Sequence, residues 1–240
     1  MDFLIGKQYG RGLSAYALKT IAIIAMVIDH VAAAFVPAGS ALYHLMRGIG
    51  RLTAPIMMYF IAEGYHHTRD VKKYALRLGI FAVISHFPFY YFSVGKWPVS
   101  AAGLRLRPTS VIYTLFLALL AVIVFNNDRL GSIPKTALIV CLCLAATPGD
   151  GAFFVVLQVL AFEACRGDFR RQARAYCAIV AGSLVLSGGF TVPLQYGMFL
   201  VVPFLRQYNG TLGGSKHSKW FFYVFYPLHL LILGLLRHGM

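Results

Sequence analysis

Several ionisable side chains lie inside apolar segments of this sequence, where burying a charge costs free energy. Asp29 and His30 lie in the outer half of the first apolar stretch, and Lys19 lies 11 residues earlier, near its start. A charge within a membrane-spanning helix costs about 2.5–3.5 kcal/mol on insertion scales, so each is a candidate for function. At 100° per residue, Lys19 and His30 return to nearly the same helix face, about 16 Å apart along the axis. One face would therefore present a cation near the start of the helix and an imidazole in its outer half. An imidazole exchanges protons near neutral pH.

A second group of polar residues belongs to the next apolar stretch. Arg47 and Arg51 are four residues apart, so they share a helix face and could clamp a phosphate or a carboxylate. Glu63, His66 and His67 also share a face, and Glu-x-x-His can supply half of a di-iron site. A second such motif is missing from a chain with eight acidic residues, so we expect no metal site.

Several of these residues also have a structural interpretation. Lys19 could be an anchor whose ammonium reaches the membrane surface. The basic run after His67, which includes Arg69, could simply mark a cytoplasmic helix end. His229 follows the helix-kinking Pro227 in the last apolar stretch, and it is either a polar packing residue or a pocket residue.

The composition excludes an ordinary soluble domain. Of 240 residues, 59% are hydrophobic and 12% are charged, whereas soluble chains are about a quarter charged. The apolar stretches are continuous rather than alternating, which favours membrane helices over barrel strands. A net charge of +14 could suggest nucleic acid. However, the Lys and Arg residues lie between apolar stretches, where they act as topology signals or bind anionic lipid or a phosphate-bearing ligand. We therefore expect a lipid bilayer as partner and no nucleic acid.

Nine apolar stretches divide the chain. They cover approximately residues 14–36, 42–65, 74–94, 110–125, 134–146, 151–165, 173–186, 192–205 and 219–236. We predict an all-α integral membrane protein, a bundle of about nine transmembrane helices in a single domain over residues 1–240. The turn at 147–150 places Asp150 where it could cap the sixth helix. The fifth, sixth and eighth stretches are short for a full span, so tilted or incomplete helices are possible.

The distribution of Lys and Arg predicts the orientation of the bundle. Of the 22 basic residues, 16 lie in the N-terminal segment or in every second connection after it, including the adjoining helix ends. The turns at 147–150 and 187–191 contain none, as expected of outer turns. We therefore predict a cytoplasmic N-terminus and an external C-terminus, in a multi-pass protein of the inner (cytoplasmic) membrane. Arg47 and Arg51 are the notable exceptions, because they fall on the outer side.

Several motifs together resemble the TraX family over residues 13–236. They are Lys19 through Asp29-His30, Arg47-x-Ile-Gly-Arg51-Leu-x-Ala-Pro55, Glu63-Gly-Tyr-His-His-Thr-Arg69, Lys73-Tyr-x-x-Arg77-Leu, Pro148-Gly-Asp150 and Phe222-Tyr-x-x-Tyr226-Pro-Leu-His229. TraX is named for the inner-membrane protein that N-acetylates pilin in bacterial conjugation. The family resembles the membrane acyltransferase superfamily, whose first helix has a basic residue, ten residues and then a histidine. Lys19 and His30 match that spacing, and Arg47 and Arg51 match its arginine pair.

The resemblance implies a membrane acyltransferase that uses cytoplasmic acetyl-CoA, or another acyl-CoA, as its donor. The acceptor would be an amine or hydroxyl of an unknown peptide, glycan or small molecule at or across the membrane. His30 would be the general base, with Asp29 orienting its ring or holding an acceptor amine. The residues expected to bind substrate or acyl-CoA are Lys19, Arg47, Arg51, Glu63, His66, His67, Arg69, Arg77, Asp150, Tyr226 and His229.

Two other classes of function remain open at this point. In a proton-coupled transporter, Lys19, His30 and Glu63 would form a proton or substrate path. In a structural membrane partner of an assembly or secretion complex, they would only support the fold. Binding of acyl-CoA separates the three classes, because only an acyltransferase requires it.

Overall fold

The computed structural model of the chain describes residues 12–100, 103–106, 108–214 and 218–239. The first helix, α1 (Ala15–Phe35), agrees closely with the first predicted stretch. Ser14 caps its start, because the Ser14 hydroxyl accepts a hydrogen bond from the backbone N–H of Ala17 at 3.2 Å. Pro37 lies just beyond its end, where it cannot continue a helix.

The second predicted helix is two helices, α2 (Ala41–Gly50) and α3 (Thr53–His67). The break follows Gly48 and Gly50, which are poor helix formers. Gly50 is required there, because a methyl group on it would overlap the carboxylate of Asp29 on α1. The prediction of one continuous helix over 42–65 is therefore wrong, and the break brings the chain against α1.

The remaining helices are α4 (Val71–Val94), α5 (Val111–Phe125), α6 (Ser132–Ala146), α7 (Ala152–Ala164), α8 (Phe169–Leu186), α9 (Val201–Arg206) and α10 (Ser218–His238). A two-stranded hairpin, β1 (Val99–Ser100) and β2 (Gly103–Leu104), follows α4, and two 3-10 segments, Gly189–Thr191 and Pro193–Leu200, precede α9. Among the described residues, α1, α4 and the part of α10 from Trp220 are long and apolar enough to cross a membrane. The apolar helices identify a membrane protein, and the nine transmembrane spans remain a prediction.

Two predicted helices differ from the observed ones. α8 begins at Phe169, four residues before the predicted start, because Asp168 caps it through the backbone N–H of Arg171 at 3.1 Å. The stretch over 192–205 is not one α-helix. Its first part is the 3-10 segment Pro193–Leu200, and only the short α9 follows.

Asp150 does not cap α7, which corrects the predicted role. The residue before the helix is Gly151 at φ 72°, a left-handed conformation that favours glycine. The Asp150 backbone instead joins the start of α5: its N–H donates to the Thr109 carbonyl, and its carbonyl accepts from the Thr114 hydroxyl, both at 3.0 Å.

Contacts between connecting segments define two ends of the bundle. One end contains the pairs Leu13–Tyr208, His66–Glu163 and Asn126–Glu163, and the opposite end contains Asp29–Arg47, Thr109–Gly149 and Phe92–Arg237. We call the first the basic end, because the chain places Arg69, Lys72, Lys73, Arg129, Lys135, Arg166, Arg170, Arg171 and Arg206 there. We call the second the far end. The cation asymmetry has the form that the positive-inside rule describes, and the orientation itself stays a prediction.

Candidate active site

A cavity of about 750 Å³ lies among α1, α3, α4, α5 and α10. Nine residues predicted from the sequence line it: Lys19, Asp29, His30, Arg51, His67, Arg69, Arg77, Asp150 and Tyr226. Four others, Arg47, Glu63, His66 and His229, are not in the lining. Arg47, Glu63 and His229 each contact a residue that is, whereas His66 contacts Glu163. The cavity reaches from the basic end to the far end of the bundle.

One face of α1 forms a wall of this cavity. Lys19, Ile23, Met26 and His30 all line it, at the three- and four-residue spacing of a single helix face. The predicted alignment of Lys19 with His30 is therefore present in the folded chain. The two apolar side chains between them separate the ammonium from the imidazole along the wall.

The ammonium of Lys19 lies in aromatic surroundings. Its Nζ is 4.9 Å from the ring centroid of Phe60 and 5.8 Å from that of Phe222. Ring faces attract a cation, but they do not neutralise it. Among the described residues, no carboxylate lies within ion-pair distance of Lys19. The arrangement leaves this cation available to an anionic or strongly polar ligand in the cavity.

The basic end of the cavity holds further cations. Arg69 is exposed, and Arg77 places its guanidinium over the ring of Tyr74 at 5.9 Å. The Nε atom of Arg77 is buried and has no hydrogen-bond partner among the described residues. The neighbouring Asp70 is committed to its own helix: the backbone N–H of Lys73 donates to it at 3.0 Å, which lowers the pKa of the Asp70 carboxyl. Arg77 also hydrogen-bonds the side chain of Tyr223, whereas Arg69 is in no ion pair among the described residues.

At the far end, the carboxylate of Asp29 forms ion pairs with both predicted arginines, Arg47 and Arg51. Arg47 Nη1 is 2.5 Å from Asp29 Oδ2, and Arg51 Nη2 is 3.4 Å from Oδ1. The arginine pair therefore clamps a carboxylate of the same chain. Among the described residues, Asp29 has no hydrogen bond to the neighbouring His30. The expectation that Asp29 orients this ring has no support in the geometry.

His30 is instead hydrogen-bonded to His229. His30 Nδ1 lies 2.8 Å from His229 Nε2, and the other nitrogen of His229, Nδ1, lies 2.9 Å from the Phe225 carbonyl oxygen. Aromatic rings hold both imidazoles: His229 stacks on Phe225 at 5.2 Å, and His30 meets the edge of Phe92 at 5.4 Å. The sequence indicated each histidine separately, and the fold brings them together.

Tyr226 and Asp150 complete the far end of the cavity. Tyr226 is buried, and its ring meets His229 edge-on at 5.6 Å. The backbone hydrogen bonds of Asp150 to α5 hold its carboxylate in the cavity lining, while its side chain stays exposed. A ligand next to His30 would therefore meet one acidic and one phenolic group.

A polar cluster at the basic end contains residues that the sequence reasoning missed. The buried carboxylate of Glu163 accepts hydrogen bonds from His66 Nε2 at 2.8 Å and from the Asn126 amide at 2.9 Å. Glu63 pairs with His67 at 3.3 Å and with Arg166 at 3.2 Å. An acidic residue inside the sixth apolar stretch was itself a signal, because it carries the same insertion cost as Asp29.

The acidic and histidine residues of this cluster are paired with one another rather than gathered around one point. Within the described part of the chain, no group of three or more His, Cys, Asp or Glu residues could hold a metal ion. Glu63 and His66, the half di-iron motif of the sequence, have different partners. The cluster therefore joins α3 to α7 through hydrogen bonds.

We expect Glu163→Ala to destabilise the protein by about 1–3 kcal/mol, since it removes the buried carboxylate that accepts hydrogen bonds from the side chains of His66 and Asn126. The measurement is the free energy of unfolding in detergent micelles. Asp168→Asn is the control, because it removes an exposed carboxylate that pairs with Arg171 at 3.2 Å but keeps a capping side chain. Equal losses in the two variants would contradict a structural role for the cluster.

The fold and the site define a class: a helical membrane protein whose cavity joins a cationic end to a pair of histidines. A family model described as TraX protein matches residues 14–237. The chain is also similar to the "Probable fimbrial assembly protein FimC, serogroup H1" of Dichelobacter nodosus, with 36% identity over 231 residues that cover 92% of this chain and 94% of the relative. The chain belongs to the TraX family, as its motifs predicted. No solved structure matches it.

Proposed function

We propose that this protein is a membrane acyltransferase that moves an acetyl or similar acyl group from cytoplasmic acyl-CoA to an amine or hydroxyl acceptor. The observation that carries the proposal is the single cavity that is lined by Arg69 and Arg77 at one end and by His30 at the other. A phosphate-rich donor requires cations at its entry, and acyl transfer requires a base at the reacting atom. One cavity with both features suits a reaction whose two substrates arrive from opposite sides.

The lining fits a donor of this chemistry. Arg69, Lys73 and Arg77 can bind phosphate groups at the basic end. Ile23 and Met26 offer an apolar wall to an extended arm, and the 11 residues from Lys19 to His30 span about 16 Å of helix rise. Bound acyl-CoA supplies an acyl group that is activated as a thioester. We place the bound thioester beside His30.

Three residues would perform the chemistry at the far end. His30 removes the proton of the acceptor amine or hydroxyl as the new bond to the acyl carbon forms, and later returns a proton to the leaving thiolate. Arg51, which lines the cavity and holds Asp29 only at 3.4 Å, stabilises negative charge on the acyl oxygen. Asp150 is placed to hold a cationic acceptor at the cavity rim.

Donor binding is the first test of the proposal. Arg69→Glu and Arg77→Glu should each weaken acetyl-CoA binding about ten- to a hundred-fold, because a charged hydrogen bond to phosphate is replaced by repulsion. The remaining binding should be more sensitive to salt. Calorimetry with acetyl-CoA, free CoA and a neutral thioester without the nucleotide measures the effect. Arg170→Glu is the control, since Arg170 lies at the same end outside the cavity lining. An equal response to all three ligands, or to none, would refute the proposal.

The proposed direction of transfer depends on the orientation in the inner membrane. In a cysteine-free background, a cysteine at Arg170 should react with a membrane-impermeant thiol reagent only after the cells are opened. A cysteine at the exposed Ser187 should react in intact cells with an opened outer membrane. Labelling of position 170 from the outside would reverse the orientation, and the donor would then have no access from the cytoplasm.

A role in assembly is the second candidate. The relative from Dichelobacter nodosus is named a probable fimbrial assembly protein, so a part in pilus or fimbrial assembly suits this chain as well. An assembly partner without catalysis needs no acyl-CoA, and neither does a proton-coupled transporter. If binding of acetyl-CoA is absent but deletion still impairs surface fibres, the assembly role replaces the enzymatic one.

A further inference from the structure

The histidine pair determines which nitrogen of His30 is free. A continuous chain of hydrogen bonds runs from the Phe225 carbonyl to His229 and on to His30, with heavy-atom distances of 2.9 and 2.8 Å. In each neutral imidazole, one nitrogen carries a hydrogen and the other accepts. The proton positions therefore follow from whichever partner has a fixed role.

The Phe225 carbonyl has a fixed role, because an oxygen of this kind only accepts. His229 Nδ1 must then carry the hydrogen and donate it to Phe225. His229 Nε2 consequently holds a lone pair, so the hydrogen in the 2.8 Å contact belongs to His30 Nδ1. The remaining nitrogen of His30, Nε2, is the unprotonated one.

A neutral His229 is the form that its surroundings support. Its ring stacks on Phe225 with an interplanar angle of 11° and meets Tyr226 edge-on, and no carboxylate of the described residues is within hydrogen-bond distance of it. A second proton on this ring would be a buried charge without a counter-ion.

We infer that His229 is a positioning residue that holds His30 in its Nδ1–H tautomer and leaves His30 Nε2 as the proton-accepting atom in the cavity. The inference rests on the proposed function. His30 lines the cavity, and its Nε2 has no hydrogen-bond partner among the described residues. Neutral histidine in water prefers the opposite tautomer, with the hydrogen on Nε2, so the pair imposes the less populated form.

The arrangement also prepares the site for the charged state of His30. When His30 Nε2 takes the acceptor's proton, the Nδ1–H is already directed at the lone pair of His229, so no group must reorient as the charge forms. In Ser-His-Asp triads, a carboxylate orients the base in this way. Here the nearby carboxylate, Asp29, is occupied by two arginines, and a neutral histidine takes its place.

The test reads the tautomer directly by nitrogen NMR of histidine-labelled protein in nanodiscs, with the signals of His30 and His229 assigned from His30→Gln and His229→Gln. Both residues should show Nδ1 protonated and Nε2 bare. His229→Phe keeps an aromatic ring but removes the acceptor, so His30 should change to the Nε2–H form. His229→Gln keeps an acceptor oxygen and should retain the tautomer. His86→Phe is the control, since His86 Nε2 donates to the Arg105 carbonyl at 2.8 Å and His86 lies outside the cavity lining.

Turnover provides the second readout. His229→Phe should lower kcat on the order of ten- to a hundred-fold, as loss of an orienting partner does, with the KM for acetyl-CoA unchanged. His229→Gln should recover most of that loss. A His30 that carries its hydrogen on Nε2 in the native protein, or an unchanged tautomer in His229→Phe, would overturn the inference. If His229→Phe does not fold, the native spectrum alone decides.

The failure of this inference is distinguishable from failure of the proposed function. The tautomer is measured without any substrate, so it stands or falls whether or not acetyl-CoA binds. A native Nδ1–H tautomer without detectable transfer would remove only the proposed function. Loss of transfer in His30→Ala with a freely exchanging tautomer would remove only the role of His229.

Discussion

Replacement of His30 with alanine should lower acyl transfer by two to four orders of magnitude, which is the usual cost of losing a general base. The imidazole lines the cavity, and its Nδ1 is held by His229 at 2.8 Å, which leaves its Nε2 to take the proton of the acceptor. Donor binding should be preserved, because the cations proposed for the phosphates lie near the opposite end of the cavity. The loss should therefore appear in kcat, with little change in the apparent affinity for acetyl-CoA.

The control for this variant is His44→Ala. His44 belongs to α2, is exposed and lies outside the cavity lining, so turnover should stay close to that of the native protein. Circular dichroism and thermal unfolding of both variants check that the helices remain. Near-native turnover in His30→Ala would mean that the base lies elsewhere, and His229 would become the next candidate.

Local patterns were sufficient to predict the cavity wall on α1. The spacing of Lys19 and His30 placed both on one helix face, and both line the cavity together. The helix itself was predictable because Ser14 and Pro37 mark its limits and the residues between them are mostly apolar. The helical spacing of side chains depends on one segment alone, so it is the same in the sequence pattern and in the folded helix.

Breaks that depend on tertiary contacts were not predictable in this way. The apolar run over 42–65 has the length of a full span, yet it divides after Gly50. The reason is the approach of Asp29, which a side chain at position 50 would block. Likewise, Asp150 had the residue type of a helix cap, but Gly151 offered the left-handed conformation that the turn requires.

Partners distant in sequence account for the rest of the site. His30 and His229 are 199 residues apart, and His66 and Glu163 are 97 apart. No spacing rule connects such positions, so the sequence identified the ionisable residues but not which of them pair. Glu63 and His66 share a helix face as predicted, yet Glu63 pairs with Arg166 just beyond α7, and His66 pairs with Glu163 within α7.

The pairing of Asp29 with two arginines leads to the largest expected effect on stability. We expect Arg47→Met to lower the free energy of unfolding by about 3 kcal/mol, because it removes the closer partner of a carboxylate that is only 8% exposed. Arg51 remains at 3.4 Å and cannot replace the lost contact without moving. Since Asp29 is adjacent to His30, turnover should fall as well. Denaturant titration in mixed micelles measures the stability.

A second substitution separates the lost ion pair from lost packing. In Asp29→Asn/Arg47→Met, the buried charge is gone together with its partner, so the double variant should regain part of the stability that Arg47→Met loses. Arg171→Met is the control for removing an arginine from an exposed pair, and it should cost less than about 1 kcal/mol. If Arg47→Met loses no more free energy of unfolding than Arg171→Met, the Asp29 carboxylate does not need the ion pair with Arg47. The arginine pair would then be free to serve a ligand, and the phosphate or acyl oxygen of the donor would be the first to examine.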